Sequence, residues 1–282
     1  MATLLTLKRK IKTAKNVSKT TKAMQMISAS KLKKAEEGAV SSKPYVSKLE
    51  LLSKSISQKL DRTEWDDYMV SPNINSKLIL IISPDKGLCG GLVTNLMREV
   101  LRQNQGGKIY YLTIGKKAES IAASLNKEII ASFHFGNSLP AFEFVYPVAN
   151  IINEYFLDRK VSRVQIISTK FVNVFTQAPQ MTDLLPITLN LEQKQNGVTI
   201  FEPEVNNLLS DILRHYLEMM IYQSLLEAYA SEQASRMIAM RNATDNALDI
   251  IDALQLEYNK TRQEKITNEL LDIGGGSQQN YA

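Results

Sequence analysis

The sequence predicts an α/β fold in which helices at the two chain ends form a long antiparallel coiled coil and the residues between them form a central α/β domain. Three observations carry this expectation. From Glu204 to Ile273 the chain holds no Gly or Pro, so roughly 70 residues are free to form one helix about 105 Å long at 1.5 Å per residue. Ordinary globular helices span only about 8–20 residues. A second helix-competent run extends from about Thr3 to Leu60, interrupted only by Gly38 and Pro44. Between the two, apolar runs of strand length alternate with stretches of helical periodicity.

The N-terminal run carries two interleaved seven-residue series. One is Leu4, Ile11, Ser18, Gln25 and Leu32, and its companion is Leu7, Ala14, Thr21, Ser28 and Ala35. Such 4–3 spacing makes a stripe that faces another helix. Its middle is small or polar, which lets a partner backbone come close while supplying little apolar area. The central stretch follows in order. Lys77–Ser83 reads as a buried strand, Gly91–Arg102 as a helix, Lys108–Ile114 as a strand and Lys116–Leu125 as a helix. Glu128–Phe133 is a short strand, and Ala141–Asp158 a helix interrupted by Pro147. Ser162–Lys170 is a strand, and Met181–Pro186 is a candidate for another. This alternation points to a Rossmann-like sheet with right-handed crossovers.

In the C-terminal run the apolar stripe includes Leu209, Ile212, Tyr216, Met219, Leu226, Ala230, Met237, Ile251, Leu254 and Tyr258. It too is small in the middle, at Ala228, Ala230, Ser231, Ala234, Ser235, Ala239, Ala243 and Ala247. Two matching small stretches suggest an antiparallel pair of close approach. Equal rise along both helices sets Met1 opposite about Tyr258, so Asn259–Ile273 would project alone; its polar composition fits. The expected boundaries are 1–60 for the N-terminal helix, 61–75 for a connector, 76–200 for the central domain, 204–273 for the C-terminal helix and 274–282 for a flexible tail.

Composition narrows the function. The chain has 282 residues, 44% of them hydrophobic, and a formal charge of +5. No apolar run approaches the roughly 18 residues of a membrane-spanning helix. A single cysteine, Cys89, excludes an internal disulfide. The two histidines, His134 and His215, lie far apart, and no Cys/His cluster has metal-ligand spacing, so neither a metal nor another cofactor is expected. The charge is lopsided: ten cations from Lys8 to Lys34 precede the first acid, Glu36. Three readings compete for this basic end: nucleic-acid binding, a transit peptide, or a helix facing an acidic protein, with a plainly solvated face as the alternative to all three. Aromatic residues that would stack on bases are absent from Met1 to Lys43. A cleavage-like break after Lys34 is missing too.

Asp85-Lys86-Gly87-Leu88-Cys89-Gly90-Gly91 lies between a strand and a helix, where phosphate loops sit. It lacks the Gly-Lys-Ser/Thr ending that delivers a lysine to phosphate and a hydroxyl to magnesium, and it is not G-x-G-x-x-G. No direct nucleotide binding and no catalytic constellation are expected. A coiled-coil arm that binds nucleic acid and a small α/β enzyme using the glycine turn remain as alternatives.

Two further stretches are more specific than any periodicity. They are Lys19-Thr20-Thr21-Lys22-Ala23-Met24-Gln25-Met26-Ile27-Ser28-Ala29-Ser30-Lys31-Leu32 and Ala230-Ser231-Glu232-Gln233-Ala234-Ser235-Arg236-Met237-Ile238-Ala239-Met240, the latter continuing Arg241-Asn242-Ala243-Thr244-Asp245-Asn246-Ala247. With the Asp85–Gly91 turn, and over essentially the whole chain, they resemble the γ subunit of F-type rotary ATP synthases. The resemblance implies a non-catalytic central-stalk rotor, coupling ion flow in the membrane sector to ATP synthesis or hydrolysis in a hexamer of α and β subunits. It implies as partners the α and β subunits, the ε subunit and the c-subunit ring, and no nucleic acid. By family motif, Met24, Lys31 and Lys34 fall where the lower shaft faces the β subunits, with Arg236 on the other helix. Gln263, Thr267 and Glu269 fall on the upper shaft. The absence of a targeting extension before the first helix leads to the expectation of a bacterial protein, peripheral on the cytoplasmic side of the inner membrane. With Cys89 alone, the thiol control of plastid relatives through a cysteine pair is not possible.

Overall fold

The computed structural model describes residues 3–57, 66–103, 107–136, 138–188 and 205–276. The tail 277–282, the first part of the expected connector (61–65) and the end of the expected central stretch (189–200) lie outside the described residues. In chain order the elements are α1 (Leu4–Ser57), β1 (Ser76–Ile82), α2 (Leu92–Gln103), β2 (Lys108–Ile114), α3 (Lys116–Ser124), β3 (Glu128–Phe133), α4 (Val145–Leu157), β4 (Arg163–Phe171), β5 (Gln177–Leu185) and α5 (Val205–Gly276). The chain divides into two compact units, one built from both chain ends (1–27 and 237–282) and the other from 28–236.

Within the larger unit one five-stranded sheet has the order β3-β2-β1-β4-β5. β1, β2, β3 and β4 run parallel to one another, and β5 runs antiparallel to β4. Because β1 is covered on both faces it is apolar from Leu78 to Ile82, as central parallel strands are. Leu78, Leu80 and Ile82 face one core with α4 (Val148, Ile152, Phe156) and the first turns of α5 (Leu209, Leu213, Leu217, Ile221, Leu225). Ile79 and Ile81 face the other with α2 (Leu96, Val100) and α3 (Ala118, Ile121, Ala122). The four-residue spacing of the α5 set keeps one helical face on the sheet.

Several boundaries depart from expectation for identifiable reasons. α4 is not interrupted at Pro147, which occupies its first turn, where the missing N–H has no intrahelical partner to lose. α1 continues through Gly38 and Pro44. Pro44 is exposed, so the carbonyl it leaves free can be hydrated. Just before it, the Ser41 and Ser42 hydroxyls donate to the Gly38 and Ala39 carbonyls. β5 begins at Gln177, four residues ahead of the expected Met181, and includes Pro179 paired with Thr169. A proline is admissible there because β5 ends the sheet.

In the smaller unit the covered positions of α1 follow the two seven-residue series. Leu7 is buried, Leu4, Ile11, Ala14, Ser18, Thr21 and Gln25 are half-buried, and nearly every residue between them is exposed. On α5, Met240, Thr244, Ala247 and Ile251 are buried. The Thr21 and Thr244 hydroxyls share a hydrogen bond of 2.7 Å. Arg262 through Leu271 are exposed without exception.

Candidate functional site

In open α/β sheets, ligands bind outside the carboxyl ends of the strands at the point where strand order reverses. Here that point lies between β1 and β4, because β2 and β3 follow on one side of β1 and β4 lies on the other. The glycine turn after β1 forms one wall of this crevice. It holds two residues with positive φ, Leu88 (64°) and Gly90 (57°), and delivers the chain into α2.

The crevice is occupied by α5. The fully buried Ser231 donates from Oγ to the Thr169 carbonyl of β4 at 3.1 Å. One turn further, Ser235 Oγ donates to the Cys89 carbonyl at 2.6 Å. Arg236 Nη2 donates to the carbonyls of Lys86 and Gly87, both at 3.3 Å. A phosphate loop turns its N–H groups toward the ligand. This turn presents three carbonyls to donors on α5. Small side chains make the approach possible: Ala230, Ser231 and Ala234 are fully buried, and a methyl group at Gly90 would lie 3.6 Å from Ser235 Oγ.

Glu232 is the centre of charge in this contact. It pairs with Arg236 at 2.6 Å on the same helix, four residues on. Both are nearly buried, at 6% and 9% exposure. Burial raises the Glu232 carboxyl above its usual range, Arg236 pulls it down by charge and hydrogen bond, Asp85 raises it and Lys31 lowers it. Asp85 has its own task. Its carboxylate accepts from the Lys116 amide, capping α3, and from the Gly136 amide, each at 2.9 Å. Cys89 is buried at 2% exposure, and desolvation pushes its thiol pKa up, which disfavours the nucleophilic thiolate.

The residues expected from sequence to face a partner take up different situations. Arg236 turns inward, with its guanidinium engaged by Glu232 and the glycine turn. Lys31 is half-buried with its charge acting on Glu232, whereas Lys34 is exposed. In the smaller unit Met24 is half-buried and Gln263, Thr267 and Glu269 are exposed. Thr267 Oγ1 donates to the Gln263 carbonyl at 3.0 Å, and Glu269 lies 3.6 Å from Lys265. Lys8, Arg9, Lys10, Lys12, Lys15, Lys19 and Lys22 are all exposed. In the sequence Ser231 and Ser235 stood out only as small stripe residues, and Glu232 only within a motif. The four-residue Glu232–Arg236 spacing was the available signal for the pair.

A family model described as ATP synthase matches residues 3–278. The chain is 37% identical over 281 residues to the ATP synthase gamma chain of Dehalococcoides mccartyi, covering 98% of this chain and 99% of the relative. It is 35% identical over 287 residues to that of Legionella pneumophila, with the same coverage. Among solved structures it is similar to a chain of the Euglena gracilis mitochondrial ATP synthase rotor, with TM-score 0.67, 20% identity and 93% and 98% of the two chains covered. A chain of the Tetrahymena thermophila mitochondrial central stalk and c-ring gives TM-score 0.59 at 25% identity, covering 79% of this chain and 98% of that one.

Proposed function

The chain belongs to the ATP synthase gamma chain family and is thus a subunit of an ATP-synthesising enzyme; from that premise we propose that it is the non-catalytic central-stalk rotor. In this role it turns inside a hexamer of α and β subunits and couples ion flow through the membrane sector to ATP synthesis or hydrolysis. The observation that carries the reading is the filling of the sheet crevice by α5. A helix that supplies Ser231, Ser235 and Arg236 to the strand ends occupies the space a nucleotide would need. The same contact keys the helix to the sheet, so a torque on the sheet reaches α5 through the hydrogen bonds of Ser231, Ser235 and Arg236. α5 itself is one unbroken helix from Val205 to Gly276.

The exposed cations of α1 suit an acidic face that moves past them. Charge attracts over several ångströms without interlocking, and it keeps acting as the facing surface slides. Met24, Lys31, Lys34, Gln263, Thr267 and Glu269 are the proposed positions of β-subunit contact. Arg236 acts from inside, fixing α5, the helix that carries Gln263, Thr267 and Glu269, to the glycine turn. The ε subunit and the c-ring are the proposed partners of the sheet unit. The proposed location is peripheral, on the cytoplasmic face of a bacterial inner membrane. Among the described residues no helix is long and apolar enough to cross a membrane.

Reconstitution tests the assignment. The purified chain is expected to hydrolyse no ATP, and its addition to α and β subunits should raise their turnover. Hydrolysis by the chain alone that disappears in Lys86→Gln would refute it in favour of an enzyme using the glycine turn.

A further inference from the structure

At the opposite end of the sheet from the Ser231–Arg236 contact, the N-terminal ends of β1, β2 and β4 border an open polar cleft of about 410 Å³. That volume falls within the roughly 300–1,000 Å³ of small-molecule sites. Two cations line it on one face of the sheet, Lys77 and Arg163; Lys108 also borders it, but it pairs with Ser76 and its ammonium lies over the Tyr110 ring and on Glu128. Lys77 and Arg163 are register partners on the adjacent parallel strands β1 and β4, so their side chains leave the same face of the sheet side by side. Like charges placed opposite one another across strands are unfavourable. The conflict is not relieved by a carboxylate. Glu128 pairs with Lys108 at 3.3 Å, and Asp183 accepts from the Gln165 amide at 2.8 Å. Lys77 Nζ donates to the Gln103 carbonyl at 2.8 Å, which fixes the ammonium and leaves two of its protons for another acceptor. Arg163 is exposed and makes no ion pair among the described residues.

We propose that this cleft binds a phosphate-bearing anion, with Lys77 and Arg163 as its charged donors. A planar guanidinium matches two phosphate oxygens at once, and an ammonium adds a point charge beside it. The anion turns a repulsive pair into a bridged one. The proton affinity of Lys77 agrees, being lowered by burial and by the charge of Arg163, both of which a bound anion would offset. Two sources share this chemistry, a soluble phosphate or pyrophosphate and the headgroup of an anionic phospholipid.

The test uses the full chain with inorganic pyrophosphate in calorimetric titration at low salt, and in parallel with phosphatidylglycerol vesicles in flotation against phosphatidylcholine vesicles. Arg163→Gln and Lys77→Met should each weaken binding about tenfold or more, the effect of losing one charge-assisted hydrogen bond. Lys170→Gln, at the far end of β4, should change it less than about twofold, which separates a site from general charge. Binding of pyrophosphate without vesicles supports a soluble ligand, and binding of vesicles without pyrophosphate supports the headgroup, provided the same two variants abolish it. Binding in neither arm, or an equal loss in Lys170→Gln, overturns the proposal. Neither arm involves α or β subunits, so the outcome is independent of the rotor assignment.

Discussion

Replacing Arg236 by Met removes the cation from Glu232 and leaves an apolar side chain of similar reach. Glu232 then remains 6% exposed with Asp85 opposing its charge and only Lys31 favouring it. Removing one partner of a buried pair costs about 3–5 kcal/mol, and the lower end applies because Lys31 still compensates part of the charge. The two bonds to the glycine turn are lost as well, but at 3.3 Å they are long and contribute less. The deficit should depend on pH with a definite sign. The Glu232 carboxyl is already raised above its usual value by burial, and losing Arg236 raises it further. The folded state then holds that proton more tightly than the unfolded chain. The deficit is therefore fully present above the folded pKa and shrinks as pH falls through it toward the ordinary glutamate value of about 4.3. Cys89 reports the event locally, being the chain's single thiol, buried in the turn that Arg236 grips. Modification of Cys89 by a dithiodipyridine, which reacts with thiols at acid pH as well, across a urea series should show the midpoint of Arg236→Met displaced downward at pH 8 and partly restored at pH 5. The double variant Glu232→Met/Arg236→Met should regain most of the loss, since an apolar pair of similar volume often matches a buried ion pair. A loss below about 1 kcal/mol, or one identical at both pH values, would refute the reasoning.

Three other outcomes are expected. Gln25 buries its Oε1 with no hydrogen-bond partner among the described residues, so Gln25→Leu should stabilise the smaller unit by about 1 kcal/mol, read as slower exchange of the backbone amides around Thr21 and Thr244. Deleting the residues after Tyr258 removes a stretch of which 259–271 are exposed but for a half-buried Thr261; the urea midpoint of Cys89 modification should not move, while turnover or assembly with α and β subunits should fall. Met24→Lys adds a cation on the proposed partner face, worth up to roughly 4 kcal/mol at 4 Å before screening, and should lower ion pumping per ATP hydrolysed at low salt while assembly survives. Equal pumping by parent and variant at low and high salt would show that this face is merely solvated.

The sheet was legible where burial is two-sided. β1, β2 and β4 announce themselves by apolar runs, since a strand inside the sheet has no solvent face on which to place polar residues; β3, which ends the sheet on the other side, was marked by Ile129, Ile130 and Phe133, all half-buried. β5 was half legible, because Gln177–Gln180 are held mainly by backbone pairing to β4 and an edge strand need not be apolar. The stripe on α1 was legible from its period even where its residues are Ser, Thr and Gln, because position, not polarity, decides which face is covered. Arg236 illustrates the limit. Sequence shows an arginine beside a run of small residues, and an outward guanidinium reads the same as one turned onto a carbonyl. Deciding between them required the path of the Asp85–Gly91 turn, which depends on sheet contacts roughly 150 residues away in the chain. The two cations at the strand starts were likewise invisible as a pair until the register set Lys77 against Arg163.

The smaller unit is assembled from residues 1–27 and 237–282, and this has a consequence for biosynthesis. Roughly 200 residues separate its halves, so at about 5–20 residues per second the first half waits about 10–40 s for its partner. Throughout that interval the start of α1 leaves the ribosome with its stripe uncovered. A stripe rich in leucine or phenylalanine would be an aggregation hazard for as long. Ser18, Thr21 and Gln25, flanked by exposed lysines, can stay hydrated until Met240, Thr244 and Ala247 are made. The composition that permits close helix contact in the finished molecule thus also keeps the unfinished one soluble.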